Sequence, residues 1–204
     1  MASKEFLDDR EHALENEYFY RKDRELIEHL REEGRKEAER HGLEEELQTH
    51  DTVFLQELQA AGFSPDNLRL IHLVPLVEVA WSEGEVTARE RELILALAAR
   101  RGFDADSAAY QQLVGWLDSQ PEPAFFETTY KAIRKLLALQ DETSRQATQE
   151  DLVAWCTKIA EATGGIHRLA PISRDERECL RRVADRISTP PDADEPEADP
   201  HQEQ

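Results

Sequence analysis

The sequence predicts an all-α protein: a compact multi-helix bundle with a long charged helix at its N-terminus and a disordered acidic tail at its C-terminus. Three observations predict it. Apolar residues recur at intervals of three, four and seven, and no stretch keeps the period-two alternation of a half-buried strand. Gly62, Gly84, Gly102 and the pair Gly164-Gly165 fall where those apolar runs break off, as glycines that end or bend helices do. Thr87-Ala88-Arg89-Glu90 and Ser173-Arg174-Asp175-Glu176 each have the form of a capping box, in which a hydroxyl and a carboxylate satisfy backbone N–H groups at a helix start.

Residues 1–48 form the extended charged helix. Phe6, Leu7, Leu14, Tyr18, Phe19, Leu26, Ile27 and Leu30 make a narrow apolar strip among Glu, Arg and Lys. Past Leu30 the strip vanishes, and helix is held there by opposite charges a turn apart, such as Glu32 and Lys36, each pair contributing about 0.2–0.5 kcal/mol. Gly34 costs about 1 kcal/mol, so this part should be frayed and able to project.

The composition changes near residue 50, and residues 49–187 read as the bundle. A short helix from Asp51 to Ala61 carries Val53, Phe54, Leu55 and Leu58, and Gly62 ends it. Ser64-Pro65-Asp66 offers an N-cap with proline at the first helical position. Pro75 forces a break between His72 and Val74 and a new helix bearing Leu76, Val77, Val79 and Ala80. Glu83-Gly84-Glu85 turns the chain into the Thr87 capping box, followed by Leu93, Ile94, Leu97 and Ala98. Further helices are expected over 106–118 and 122–139, then a polar loop from Gln140 to Ala147. Thr148 starts a helix with Leu152, Val153, Cys156, Ile159 and Ala160, the chain bends at Thr163-Gly164-Gly165, and Ser173 opens a last helix with Leu180, Val183 and Ile187. The two bends make a weak internal repeat, the second lengthened by a loop containing IHRLAP. Residues 188–204 hold prolines and acids with nothing to bury, the composition of a disordered tail.

Charge and length narrow the function classes. The chain has 204 residues, enough for one domain with extra segments. Its 25 Lys and Arg against 44 Asp and Glu give −19, which repels phosphate backbones and anionic lipid surfaces, so no nucleic-acid partner is expected. No apolar run approaches the roughly 20 residues that span a bilayer, and the acidic start MASKEFLDDRE does not resemble a signal peptide. A soluble, cytoplasmic protein without direct membrane insertion is expected. Cys156 and Cys179 sit within apolar helical stripes, which suits buried free thiols.

No Ser/His/Asp or Cys/His spacing suggests catalysis, so no enzyme is expected. Glu83, Glu85 and Glu90 have the hard oxygens of a Ca²⁺ or Mg²⁺ site, with Asp175 or Glu176 joining if the bends pack together. The same residues also read as a turn, a cap and solvated acids. Tyr18 and Phe19 suit an anchor for a protein partner, or self-association along a coiled-coil seam. His72 and His167 stand alone beside apolar positions, and Trp81, Trp116 and Trp155 suit core or half-buried packing.

AWSEGEVTARERELI, with a second helix-bend-helix at ATGGIHRLAPISRDERECL, resembles the TerB-like family of tellurite-resistance proteins and co-chaperone N-terminal domains, over about Leu68 to Ile187. Ser82-Glu83-Gly84 stands where the family has Ala-Asp-Gly. The resemblance implies a helical bundle, a cytoplasmic, stress-related binding role and a divalent cation at the acidic corner.

FLDDREHALENEYFYRKDRELIEHL resembles the inhibitory helix of ATP synthase inhibitor proteins. Arg10, Glu11, Ala13 and Glu15 match its core, followed by Tyr18 and Phe19, then Lys22, Glu25, Ile27 and Leu30. This resemblance implies a helix that wedges into the soluble ATPase head and blocks hydrolysis.

Overall fold

The computed structural model describes residues 2–163 and 173–190, with residues 2–19 and Thr163 described by their backbone alone. It is all-α. Eight α-helices and one 3-10 segment account for its regular structure, with no strand among the described residues. They are α1 (Ala2–Leu47), α2 (Thr52–Ala60), a 3-10 segment (Leu68–Leu73), α3 (Val74–Ala80), α4 (Ala88–Arg100), α5 (Ala108–Asp118), α6 (Pro123–Ala138), α7 (Glu142–Thr163) and α8 (Arg174–Ser188).

The bundle is built around its shortest α-helix. In α3, Val74, Pro75, Leu76, Val77, Val79 and Ala80 are all buried, as expected of a helix that is apolar on every side. It contacts α4, α6, α7 and α8. The break at Pro75 is as expected: proline occupies the first turn of α3, where its missing N–H costs no hydrogen bond.

Both capping boxes form. Thr87 Oγ1 accepts from the N–H of Glu90, and the Glu90 carboxylate accepts from the Thr87 N–H at 2.8 Å. Ser173 and Glu176 repeat the arrangement at the start of α8. Gly62, Gly84 and Gly102 have φ of 84°, 89° and 89°, the left-handed conformation that ends or turns a helix.

Four expectations need correction. Val53 is exposed, because Asp51 caps α2 by accepting from the N–H of Phe54 and so turns Phe54, Leu55 and Leu58 inward. No helix begins at Ser64-Pro65; the Asn67 side chain accepts from the Ser64 N–H and donates to Gly62 O, holding a turn until the 3-10 segment opens at Leu68. The loop expected over 140–147 is mostly helix, because Asp141 accepts from the N–H groups of Thr143 and Ser144. Consequently α7 starts at Glu142 and not at Thr148. The bend at Gly164-Gly165, His167 and the acidic tail beyond Pro190 lie outside the described residues.

Leu43 and Leu47, in the last turns of α1, are buried in the core beside α2 and α6. Those turns anchor a helix that is about 69 Å long at 1.5 Å per residue.

Candidate functional site

The N-terminal helix divides into an anchored end and a free one. Every residue from Tyr20 to Ala38 is exposed, whereas Leu43 and Leu47 are buried. Six basic and six acidic residues share the free stretch. Pairs along one face brace it: Arg35 binds Glu32 at 2.7 Å and Glu39 at 2.9 Å, Lys22 binds Glu25 at 2.9 Å, and Lys36 lies 3.7 Å from Glu32. Such exposed pairs contribute little singly, and the body adds a hold near the end of the stretch, where Gln59 Nε2 donates to Lys36 O at 2.7 Å.

Four large apolar side chains stand in water on this stretch. Tyr20, Leu26, Ile27 and Leu30 are 74%, 57%, 48% and 57% exposed. Helix geometry explains why the body does not cover them. At about 100° per residue, Leu43 lies about 220° around the helix from Leu30, and Leu47 about 200° from Ile27. The stripe is centred about 140° around the helix from the midpoint of Leu43 and Leu47, with Leu26, about 60° from Leu47, at its near edge. Of the partner-binding residues expected from sequence, Lys22, Ile27 and Leu30 fall on this free stretch, while Arg10, Glu11, Glu15, Tyr18 and Phe19 lie where only the backbone is described.

The acidic corner is organised differently. Glu83 and Glu85 are exposed on the turn around Gly84, while Glu90 is buried in the capping box. Its Oε2 accepts from both the N–H and the hydroxyl of Thr87, at 2.8 and 2.7 Å. Glu176 is likewise buried in its own box. Among the described residues no three His, Cys, Asp or Glu side chains converge as they would to hold a metal ion.

A polar cluster that sequence reasoning missed lies against α3. Glu78, its single charged residue, accepts from Tyr130 Oη at 2.7 Å and from Arg186 at 3.2 Å. Arg186 also donates to Glu127 at 2.5 Å and lies over the Tyr130 ring. Burial, then the Glu78 carboxylate, pushes the Tyr130 phenol well above its ordinary value. Burial also raises both thiols, Cys156 and Cys179, so neither is a reactive thiolate. A cleft of about 420 Å³ opens beside the cluster, bordered by Trp81, Phe126, Arg182 and Arg186. The signal was present in the sequence: one glutamate inside the apolar run VPLVEVA has to find buried partners.

His72 is half-buried, and burial, then the nearby Arg101, lowers its affinity for a proton. Trp81, Trp116 and Trp155 are all half-buried. Trp81 donates its indole N–H to Trp116 O at 2.8 Å, tying the end of α3 to α5. Among the described residues no helix is long and apolar enough to cross a membrane.

No protein-family model, curated protein or solved structure matches the chain.

Proposed function

We propose that this chain is a non-enzymatic, cytoplasmic binding or regulatory protein of the TerB-like type, tied by that resemblance to stress response, with α1 as the arm that engages a protein partner. The carrying observation is the apolar stripe Tyr20, Leu26, Ile27 and Leu30, exposed on the side of α1 away from its anchor. Helix-in-groove recognition uses such a stripe, with a few large side chains supplying most of the energy. The test is affinity capture from the native cell extract with the intact protein and with Ile27→Asp/Leu30→Asp. Loss of a specific partner with the variant supports the reading. Equal capture by both removes α1 from it.

A second reading, inhibition of ATP synthase hydrolysis, is favoured by one further observation. From Tyr20 to Ala38 the helix is continuous and exposed, so it has the clearance a wedge needs, and it includes Lys22, Glu25, Ile27 and Leu30 from the inhibitor-like pattern. Hydrolysis by a purified ATPase head should fall when the intact protein is added and recover with Ile27→Asp/Leu30→Asp. Unchanged hydrolysis with the intact protein rejects inhibition.

A further inference from the structure

The end of α8 is held from two sides. Arg134 Nη1, on α6, donates to Arg186 O at 3.3 Å, and Gln149 Nε2, on α7, donates to Ile187 O at 3.0 Å. Thr189 then leaves the helix in an extended conformation, φ −65° and ψ 134°, with its hydroxyl donating to Asp185 O at 2.8 Å. Pro190 follows at the edge of a hollow of about 300 Å³ that is bordered also by Arg134, Leu137, Glu142 and Arg145. The fold therefore fixes where the chain leaves the bundle, and it leaves beside a cavity.

That cavity is positive in an acidic molecule. Arg145 pairs with Glu142, so the charge of Arg134 sets the balance among the groups that border it. Arg134 is 8% exposed, and burial works against its charge; Glu127 favours the charge and Arg186 opposes it. A guanidinium so placed suits a carboxylate, whose two oxygens match its fork of N–H donors. The sequence past Pro190 supplies carboxylates at short range: its 14 residues hold six acids and no lysine or arginine, and Asp192 and Asp194 come first. Asp192 is two residues from Pro190, at most about 7 Å along the chain. Pro191 restricts the backbone between them, so less freedom is lost when the carboxylate is placed.

We propose that the hollow between α6, α7 and α8 is a carboxylate site that the chain fills itself, with Asp192 and Asp194 as the occupants and Arg134 as the receiving group. The contact clips the end of α8 to the two helices beside it. An acidic segment of another protein reaches the same hollow only by displacing the chain's own.

Melting of the full chain tests the clip through the sign of the effect. At a net charge of −19, removing two acids lowers self-repulsion and by itself leaves stability unchanged or raised. Docking reverses that sign. Asp192→Asn/Asp194→Asn should lower the melting temperature by about 2–4 °C at low salt, and by less at about 1 M salt. Glu197→Gln/Asp199→Asn, farther along the segment, should not lower it. An unchanged or raised melting temperature for Asp192→Asn/Asp194→Asn overturns the proposal. An equal fall for both pairs also overturns it, because the effect then belongs to the charge of the segment and not to a site. The receiving group is read from the Nε–H resonance of Arg134 in the full chain, which should shift in Asp192→Asn/Asp194→Asn. A resonance that stays in place overturns the assignment to Arg134 and the proposal with it. Neither result bears on α1 as an interaction arm.

Discussion

The buried α3 and the free stretch of α1 place similar side chains in opposite surroundings. In α3, six of seven residues are buried and the seventh, Glu78, is held by Tyr130 and Arg186. In α1, Tyr20, Leu26, Ile27 and Leu30 are exposed, and so are all their neighbours to Ala38. The difference follows from what surrounds each apolar group. A helix apolar on all sides has only the interior to go to, and the whole bundle assembles on it. A narrow stripe on a charged helix can be covered, as in α8, where Cys179, Val183 and Ile187 are buried among charged neighbours; the stripe of α1 stays in water because it turns away from Leu43 and Leu47, which seat the helix on the body. Periodicity identifies an apolar face; where the helix is seated on the body decides whether the protein itself covers that face.

The largest expected effect breaks the comparison at its centre. Leu76→Ala removes a fully buried side chain from α3 and should destabilise the bundle by about 2–5 kcal/mol in denaturant titrations. Leu30→Ala should stay within about 0.5 kcal/mol of wild type. A loss above about 2 kcal/mol for Leu30→Ala would mean that α1 folds back onto the body.

A smaller effect is expected at the polar contact within α3. Glu78→Ala leaves the buried Tyr130 hydroxyl without its acceptor and takes one of two carboxylates from Arg186. The expected cost is about 1–3 kcal/mol, mostly from the stranded hydroxyl, since Arg186 is partly exposed and its pairs are screened. Glu78→Gln keeps an acceptor for Tyr130 and should recover part of the loss. Equal losses for both would assign the cluster's stability to charge.

What was legible in the sequence follows the same line. Both capping boxes, the proline break before α3 and the left-handed glycines were readable because each depends on residues within one turn of one another. The start of α7 was not, because its first turn, Glu142 to Arg145, has no apolar residue to show the helical period, and only the cap at Asp141 marks it. Val53 was misassigned because a short helix offers too few positions to fix its rotation. The Glu78 cluster joins residues 52 and 108 positions apart, beyond any local pattern. Of the exposed stripe, Leu26, Ile27 and Leu30 were readable from spacing and Tyr20 was not; its angular separation from Leu43 and Leu47 emerged only once those two proved to be the anchor.

The capping box of α4 lies between the two extremes. Thr87→Ala removes the hydroxyl that accepts from the Glu90 N–H and donates to its carboxylate. The expected cost is about 1 kcal/mol, read as a fall of roughly 2–4 °C in melting temperature. Thr87→Ser keeps the hydroxyl and should lie close to wild type. If it does not, the packing of the threonine methyl, and not the cap, was the stabilising part.

The smallest effect is the one that best separates arm from body. Gly34 sits within exposed helix, and a Cβ there meets nothing within 4 Å. Gly34→Ala therefore removes a penalty of about 1 kcal/mol with no new contact to offset it. If the ion pairs of α1, and not the hydrogen bond from Gln59 to Lys36 O, hold the helix around Gly34, that gain stays local. Amide exchange near Gly34 should slow about fivefold, the factor corresponding to 1 kcal/mol, while the denaturation midpoint of the bundle stays unchanged. A midpoint that rises with the local protection would show the arm and the core unfolding as one cooperative unit, joined through Leu43 and Leu47. In that case a partner drawn to the stripe would stabilise the bundle as well as the helix it touches.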